Sequence, residues 1–362
     1  MMSDFPASVD IFCKVIDHYG DAGVCWRLAR QMAVDDGKKV RLFIDDVETL
    51  RRIVPEPDKR VEIVRWGRDL VYGGAADLVI EAFACDLPDQ VLEVMGRQPE
   101  APVWVDLEYL TAEEWPLSCH AVPSVHPSTG LKKTLFFPGF DVKTGGLIRE
   151  NDLIARRNVF QGDVTVQNQW RLDHKLPEID KNCLDLSLFS YKTAPIEAFF
   201  KEISGLERPV RVFYPVPDGF GVEKRGNLTI YRIPFVKQED YDYLLWTCDA
   251  NFVRGEDSFV RAQYAGRPMI WNIYVQEDEA HFTKLDAFLT LYRAAFSQES
   301  REGLAKCFEV WNQRGQDLEG VWLDFLKSLP ELDAGAKEWA DRLCSETSLT
   351  ERLYAFCREI KS

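Results

Sequence analysis

The chain lacks a basic surplus: 44 lysines and arginines stand against 59 aspartates and glutamates, for a net charge of −15. Spread through helix-like segments, that charge favours solubility and argues against a nucleic-acid partner, whose phosphates it would repel. Nine cysteines are present but no C-x-x-C pair, and most sit in apolar runs where a thiol packs as a small hydrophobe. That usage fits a reducing cytosol. The five histidines show no metal-ligand spacing. No apolar run approaches the roughly 18 residues of a membrane span, and Met1 to Pro6 has neither a basic nor an apolar targeting region. A cytoplasmic protein with no membrane contact is therefore expected.

What is present is enough apolar material, 46% hydrophobic with 12% aromatic in 362 residues, to fill two cores. Short runs rich in Val, Ile and Phe alternate with amphipathic stretches in the first 150 residues, the sequence form of βα units around a parallel sheet. Strands are predicted at Val9 to Val15, Val40 to Ile44, Val61 to Trp66, Leu78 to Phe83 and Val103 to Leu107, with a helix from Val24 to Met32. The alternation starts again with strands at Leu184 to Phe189, Val210 to Tyr214, Leu228 to Phe235, Ala250 to Val253 and Met269 to Tyr274. Between them Arg149 to Lys181 is polar and poor in β-branched residues, and reads as the connection. The expected fold class is α/β with GT-B architecture: two facing Rossmann-like domains with a ligand cleft between them. The domains are expected at 1–150 and 181–335, with a linker at 151–180 and C-terminal helices at 336–362 returning to the first domain.

Two polar loops carry chemistry. Asn251 to Val253 ends a strand, Arg254 to Ser258 forms a turn, and a helix follows that closes at Gly266. A helix N-terminus exposes unpaired N–H groups and a positive dipole end, which suits the diphosphate of a nucleotide sugar. Gly255 lets backbone approach closely and Arg254 offers a bidentate clamp. The alternative is that Asp257 or Ser258 merely caps a surface helix. Glu256 is unfavourable beside phosphate unless it faces a cation or a positive transition state.

The other loop is Asp17-His18-Tyr19-Gly20-Asp21-Ala22-Gly23, which misses the dinucleotide G-x-G-x-x-G spacing and would repel a pyrophosphate with two carboxylates. NAD binding is rejected here. Asp17 and Asp21 can point into one cleft to hold a cation or serve acid/base chemistry. Equally, Asp21 can cap the helix while Asp17 ends the strand. His18 reads as a loop histidine.

With both loops in view, the chain resembles the EarP family, arginine rhamnosyltransferases that modify bacterial translation elongation factor P. The likeness runs over the whole chain. It is carried by Asp10-Ile11-Phe12-Cys13-Lys14-Val15-Ile16-Asp17 with Tyr19-Gly20-Asp21 and Trp26-Arg27-Leu28-Ala29-Arg30, by Asp106-Leu107-Glu108-Tyr109-Leu110, by Phe137-Pro138-Gly139-Phe140 with Thr144-Gly145-Gly146-Leu147, and by Asn251 to Ser258. Departures from the family pattern fall at His18, Tyr264, Asn272 and Val275, where asparagine, tryptophan, histidine and proline are common. None of them removes a charged site residue.

The resemblance implies transfer of L-rhamnose from TDP-β-L-rhamnose to an arginine guanidinium of elongation factor P, with inversion, no metal and no cofactor besides the donor. It implies that Asp21 acts as general base, with Asp17 and Glu256 holding the acceptor and stabilising the reacting centre. Phe189, Tyr191, Gln238, Arg254, Asp257, Ser258 and Tyr274 match the donor-binding set. The competing expectations are another nucleotide-sugar enzyme (an epimerase or a small-molecule glycosyltransferase) and a non-catalytic translation-factor-binding module.

Overall fold

The computed structural model describes residues 4–17, 19–217, 219–315 and 319–362, so His18 lies outside the described residues. The chain divides into two compact units, Met1–Asn151 with Glu346–Ser362, and Asp152–Ser345.

In the first unit β1 (Ser8–Cys13), β2 (Lys39–Ile44), β3 (Val61–Arg65), β4 (Leu78–Ala82), β5 (Val103–Leu107), β6 (Pro123–Val125) and β7 (Lys132–Phe136) pair in the order β3-β2-β1-β4-β5-β7-β6. Ile11 of β1 lies beside Leu42 on one side and Ile80 on the other, in parallel register. Every residue of β4 and β5 is buried, as near-continuous apolar strands must be when helices cover both faces. Alternate residues feed separate cores: Val9, Ile11 and Cys13 pack on one face with Trp26 and Leu28, while Phe12 faces the other with Phe43, Val79 and Trp104. Helix α1 (Tyr19–Arg30) is buried from Asp21 to Ala29. Even Arg27 is inside, because both oxygens of Glu150 accept from its guanidinium at 2.8 Å. A last helix (Leu349–Lys361), opened by a capping box of Ser348 and Glu351, buries Leu353 and Cys357 in the same core.

In the second unit β8 (Leu184–Leu188), β9 (Val210–Pro215), β10 (Gly221–Arg225), β11 (Leu228–Ile233), β12 (Ala250–Arg254) and β13 (Met269–Asn272) pair in the order β10-β11-β9-β8-β12-β13. Setting aside antiparallel β10, the parallel strands of this sheet run third, second, first, fourth, fifth. The first five strands of the first unit follow the same order. Each sheet therefore reverses direction between its first and fourth strands, the switch point where open α/β sheets place ligands.

The polar stretch expected to be a linker holds two helices of the second unit, Leu153–Gly162 and Val164–Asp173. Two of its arginines mislead because they are buried. Arg171 is fully enclosed, with Asp185 at 2.7 Å and Thr247 accepting two further bonds, and Arg157 donates to the Tyr264 carbonyl at 2.8 Å. The stretch 336–345 completes a long helix of the second unit, Val321–Ser345. Among the described residues no helix is long and apolar enough to cross a membrane.

Candidate active site

In the first unit the chain leaves β1 at its C-terminal end, beside β4, and turns at Asp17 and Gly20 into α1. The Gly20 amide donates to the Asp17 carbonyl at 2.7 Å. A Cβ on Gly20 would stand 2.5 Å from an Asp17 carboxylate oxygen, so a larger residue here would displace the Asp17 side chain from this position. Asp21 sits in the first turn of α1 and is 1% exposed. Its Oδ2 accepts from the amides of Ile16 at 2.7 Å and Asp17 at 2.8 Å, and its Oδ1 accepts from the Tyr109 phenol at 3.1 Å. Burial raises the Asp21 pKa above the ordinary carboxylate value, while the two amides and the phenol partly offset that rise. The expected pair is thus brought together, with the carboxylate of Asp21 under the backbone of Asp17. Instead of capping its own helix, Asp21 reaches back to the loop in front of it.

In the second unit the corresponding strands are β8 and β12, and the residues after them converge. Phe189 follows β8 and extends its ladder, donating to the Phe252 carbonyl at 2.8 Å. The Arg254 guanidinium carbon lies 4.3 Å from the Phe189 ring centre and 4.7 Å from that of Tyr191, within cation–π range of both. Tyr191 meets Tyr274 edge-on at 5.7 Å, and Tyr274 is 44% exposed. The Tyr191 amide is fixed by Asn272 Oδ1 at 2.9 Å. That gives one of the departures from the family pattern a place in the site. Phe189, Tyr191, Arg254 and Tyr274 therefore form one aromatic and cationic group.

After Arg254 the backbone turns at Gly255, whose φ of +60° suits glycine, and helix α2 (Asp257–Tyr264) begins. Glu256 occupies the N-cap position without making a side-chain cap bond, and it is half-buried. Ser258 turns inward, its Oγ donating to the Arg254 carbonyl and accepting from the Arg254 amide at 3.1 Å. Asp257 does not cap the helix. It accepts from Gln238 Nε2 at 2.8 Å and from Arg261 Nε at 3.0 Å, and Arg261 donates on to Asp242 at 2.8 Å. Gln238, matched to the donor-binding set, thus has one amide donor engaged with Asp257.

Two residues that were not singled out as site residues from the sequence hold these groups: Tyr109 on Asp21, and Arg261 on Asp257. Tyr109 had a usable signal, since it follows the buried strand β5 at the end where the site lies. Arg261, 3% exposed, had none beyond its spacing of one helical turn from Asp257.

A family model described as elongation factor P (EF-P) rhamnosyltransferase EarP matches residues 9–358. A protein-arginine rhamnosyltransferase of Pseudomonas aeruginosa is 42% identical, over 97% of this chain and 98% of its own length. A solved structure described as the structural basis for EarP-mediated arginine glycosylation of translation elongation factor EF-P superposes with a TM-score of 0.69 at 31% identity, covering 98% of this chain and 99% of that one. The spinosyn rhamnosyltransferase SpnG shares the fold at a TM-score of 0.56 and 10% identity, covering 98% of this chain and 99% of its own.

Proposed function

The chain belongs to the EarP family of elongation factor P rhamnosyltransferases, and from that premise we propose that it moves L-rhamnose from TDP-β-L-rhamnose to a guanidinium nitrogen of one arginine on that factor, inverting the anomeric carbon and requiring no metal. The observation that carries this assignment is the matched placement of two unlike loops. One, with two aspartates, follows the first strand of its sheet beside the fourth, and the other, with an arginine set among aromatic rings, follows the fourth strand of its sheet beside the first.

The chemistry explains the division. In the second unit Arg254 meets the diphosphate, with the positive end of α2 beside it. The rings of Phe189, Tyr191 and Tyr274 cover the base, and Gln238, Asp257 and Ser258 keep Arg254 and the start of α2 in place. Glu256 offsets positive charge that grows on the sugar ring as the donor bond weakens.

An arginine acceptor stays protonated, with a pKa above about 12, and is a poor nucleophile until a proton leaves. In the first unit Asp17 and Asp21 grip the cation and turn one nitrogen toward the anomeric carbon. The nitrogen–carbon bond forms, the bond from carbon to the diphosphate oxygen breaks, TDP leaves with the electron pair, and Asp21 takes the proton. Burial suits Asp21 to this step, because a raised pKa makes it a stronger base.

Intact-mass measurement of elongation factor P after incubation with the enzyme and TDP-β-L-rhamnose tests the proposal. One added deoxyhexose is expected. An unchanged mass would remove the arginine-rhamnosyltransferase reading and leave the epimerase, small-molecule glycosyltransferase and binding-module readings standing. Repeating the reaction with a chelator tests metal independence, and a rate that collapses on chelation would contradict it.

A further inference from the structure

We propose that Tyr109 is the positioning residue for Asp21, held at its post by Phe83 and by a buried acidic pair beneath the loop after β4. This rests on the assignment of Asp21 as the group that takes the acceptor proton.

Asp21 has two oxygens with different duties. Oδ2 is engaged by two backbone amides, Ile16 and Asp17, which fix the loop. Oδ1 accepts from Tyr109 at 3.1 Å, and an ionised carboxylate oxygen has a second lone pair. The phenol therefore chooses which lone pair of Oδ1 remains for an incoming N–H. Tyr109 comes from the loop after β5, 88 residues along the chain, so the contact depends on the fold around the ring.

That surrounding fold is built with some strain. Phe83 stacks on Tyr109 with ring centres 4.2 Å apart and planes 11° from parallel. Phe83, Ala84 and Asp86 all have positive φ, at 59°, 49° and 57°, although none is glycine. Left-handed backbone at non-glycine positions is unfavourable and persists only where the surroundings over-determine it.

Here the surroundings are specific. The Phe83 amide donates to the Leu107 carbonyl at 2.7 Å, the Ala84 amide to Asp106 Oδ1 at 3.2 Å, and the Asp86 amide to Glu81 Oε1 at 3.1 Å. Glu81 and Asp106 are 1% and 2% exposed, and Lys133 holds them together, 2.8 Å from Asp106 and 3.4 Å from Glu81. Trp104 Nε1 donates to the second oxygen of Glu81 at 3.1 Å. A buried carboxylate pair is costly to maintain. Its placement under three left-handed residues, one of which seats the Tyr109 ring, gives it a purpose in the site.

Among the titratable groups acting on Asp21 are Tyr109 after β5 and Asp45 after β2, while the Cys25 thiol one turn further along α1 feels the Asp21 charge in return. Of these, Tyr109 donates a hydrogen bond that favours the charged form, while Asp45 disfavours it. Removing the phenol hydroxyl therefore raises the pKa of Asp21.

The test is Tyr109→Phe, which keeps the stacked ring and deletes the hydroxyl, measured beside Asp21→Asn and Phe83→Leu in the full chain with TDP-β-L-rhamnose and elongation factor P. For Tyr109→Phe the expected result is a fall in kcat of about tenfold to a hundredfold, donor KM unchanged, and the acidic limb of the pH–rate profile moved to higher pH. Phe83→Leu is expected to lower kcat with the hydroxyl still present, because the ring loses its seat. Wild-type kcat with an unmoved limb in Tyr109→Phe would overturn the inference. So would a fall in kcat without a limb shift, which would mark Tyr109 as packing alone. Normal turnover by Asp21→Asn is a separate outcome, since it would remove the role of Asp21 on which the inference stands.

Discussion

The loops after β1 and β12 both present carboxylates at the switch point of a parallel sheet, yet they hold them by opposite means. Asp21 is held by neutral donors, two amides and a phenol. Asp257 is held by the cation of Arg261 together with Gln238. A carboxylate neutralised from within its own unit is a brace. One held by neutral donors keeps its charge for a visiting cation. That difference fits the proposed division, with acceptor chemistry in the first loop and scaffolding of the donor site in the second, even though both read as acidic residues beside glycines in the sequence.

The largest effect that can break this comparison is on turnover. Asp21→Asn keeps the size of the side chain and removes the base, and rhamnose transfer is expected to fall by about a thousandfold, measured as the initial rate of mass gain on elongation factor P. A variant within tenfold of wild type would place the base elsewhere.

Arg261→Leu probes the brace. It removes the guanidinium that Asp242 and Asp257 share, whose side chains are 2% and 12% exposed, and is expected to destabilise the protein by about 3–5 kcal/mol, read in denaturant unfolding. Tyr109→Phe carries no such charge penalty and is expected to unfold near the wild-type midpoint. Equal losses in the two variants would erase the distinction between the loops.

Arg254→Ala removes the fork set between Phe189 and Tyr191. It is expected to weaken TDP binding by about a hundredfold in calorimetry while unfolding normally. The smallest effect is on pH. The Asp21 pKa is raised in the folded protein, so as pH falls through that raised value the base becomes protonated and kcat falls, with the limb above the ordinary carboxylate range. A limb at the ordinary value would indicate a solvent-exposed base.

Much of the scaffold was legible because parallel strands buried on both faces are short apolar runs. Val103 to Leu107 matches β5 residue for residue, and most other inner strands differ by one or two positions. Strands β6, β7 and β10 were not legible. Strand β7 begins with two lysines, β6 has three exposed residues, and β10 alternates half-buried with exposed residues, so none carries an apolar run. The segment read as a linker failed for a related reason, since composition cannot tell an arginine enclosed with Asp185 from one in water.

In the site itself, the position of Asp21 after β1 and of Arg254 to Ser258 after β12 could be read from the order of strand, turn and helix. Which groups hold Asp21 could not. Two of its donors are backbone amides without a residue signature, and the third arrives from 88 positions away. Arg261 looked like an ordinary helix arginine because its partner Asp242 lies on a different helix, Gln238–Thr247.

The central claim, that the first loop serves the acceptor and the second the donor, is tested most directly by titrating TDP-β-L-rhamnose into Asp21→Asn in a calorimeter. The account predicts a donor affinity within about twofold of wild type in a protein that transfers no rhamnose. A donor affinity lost along with turnover would contradict it.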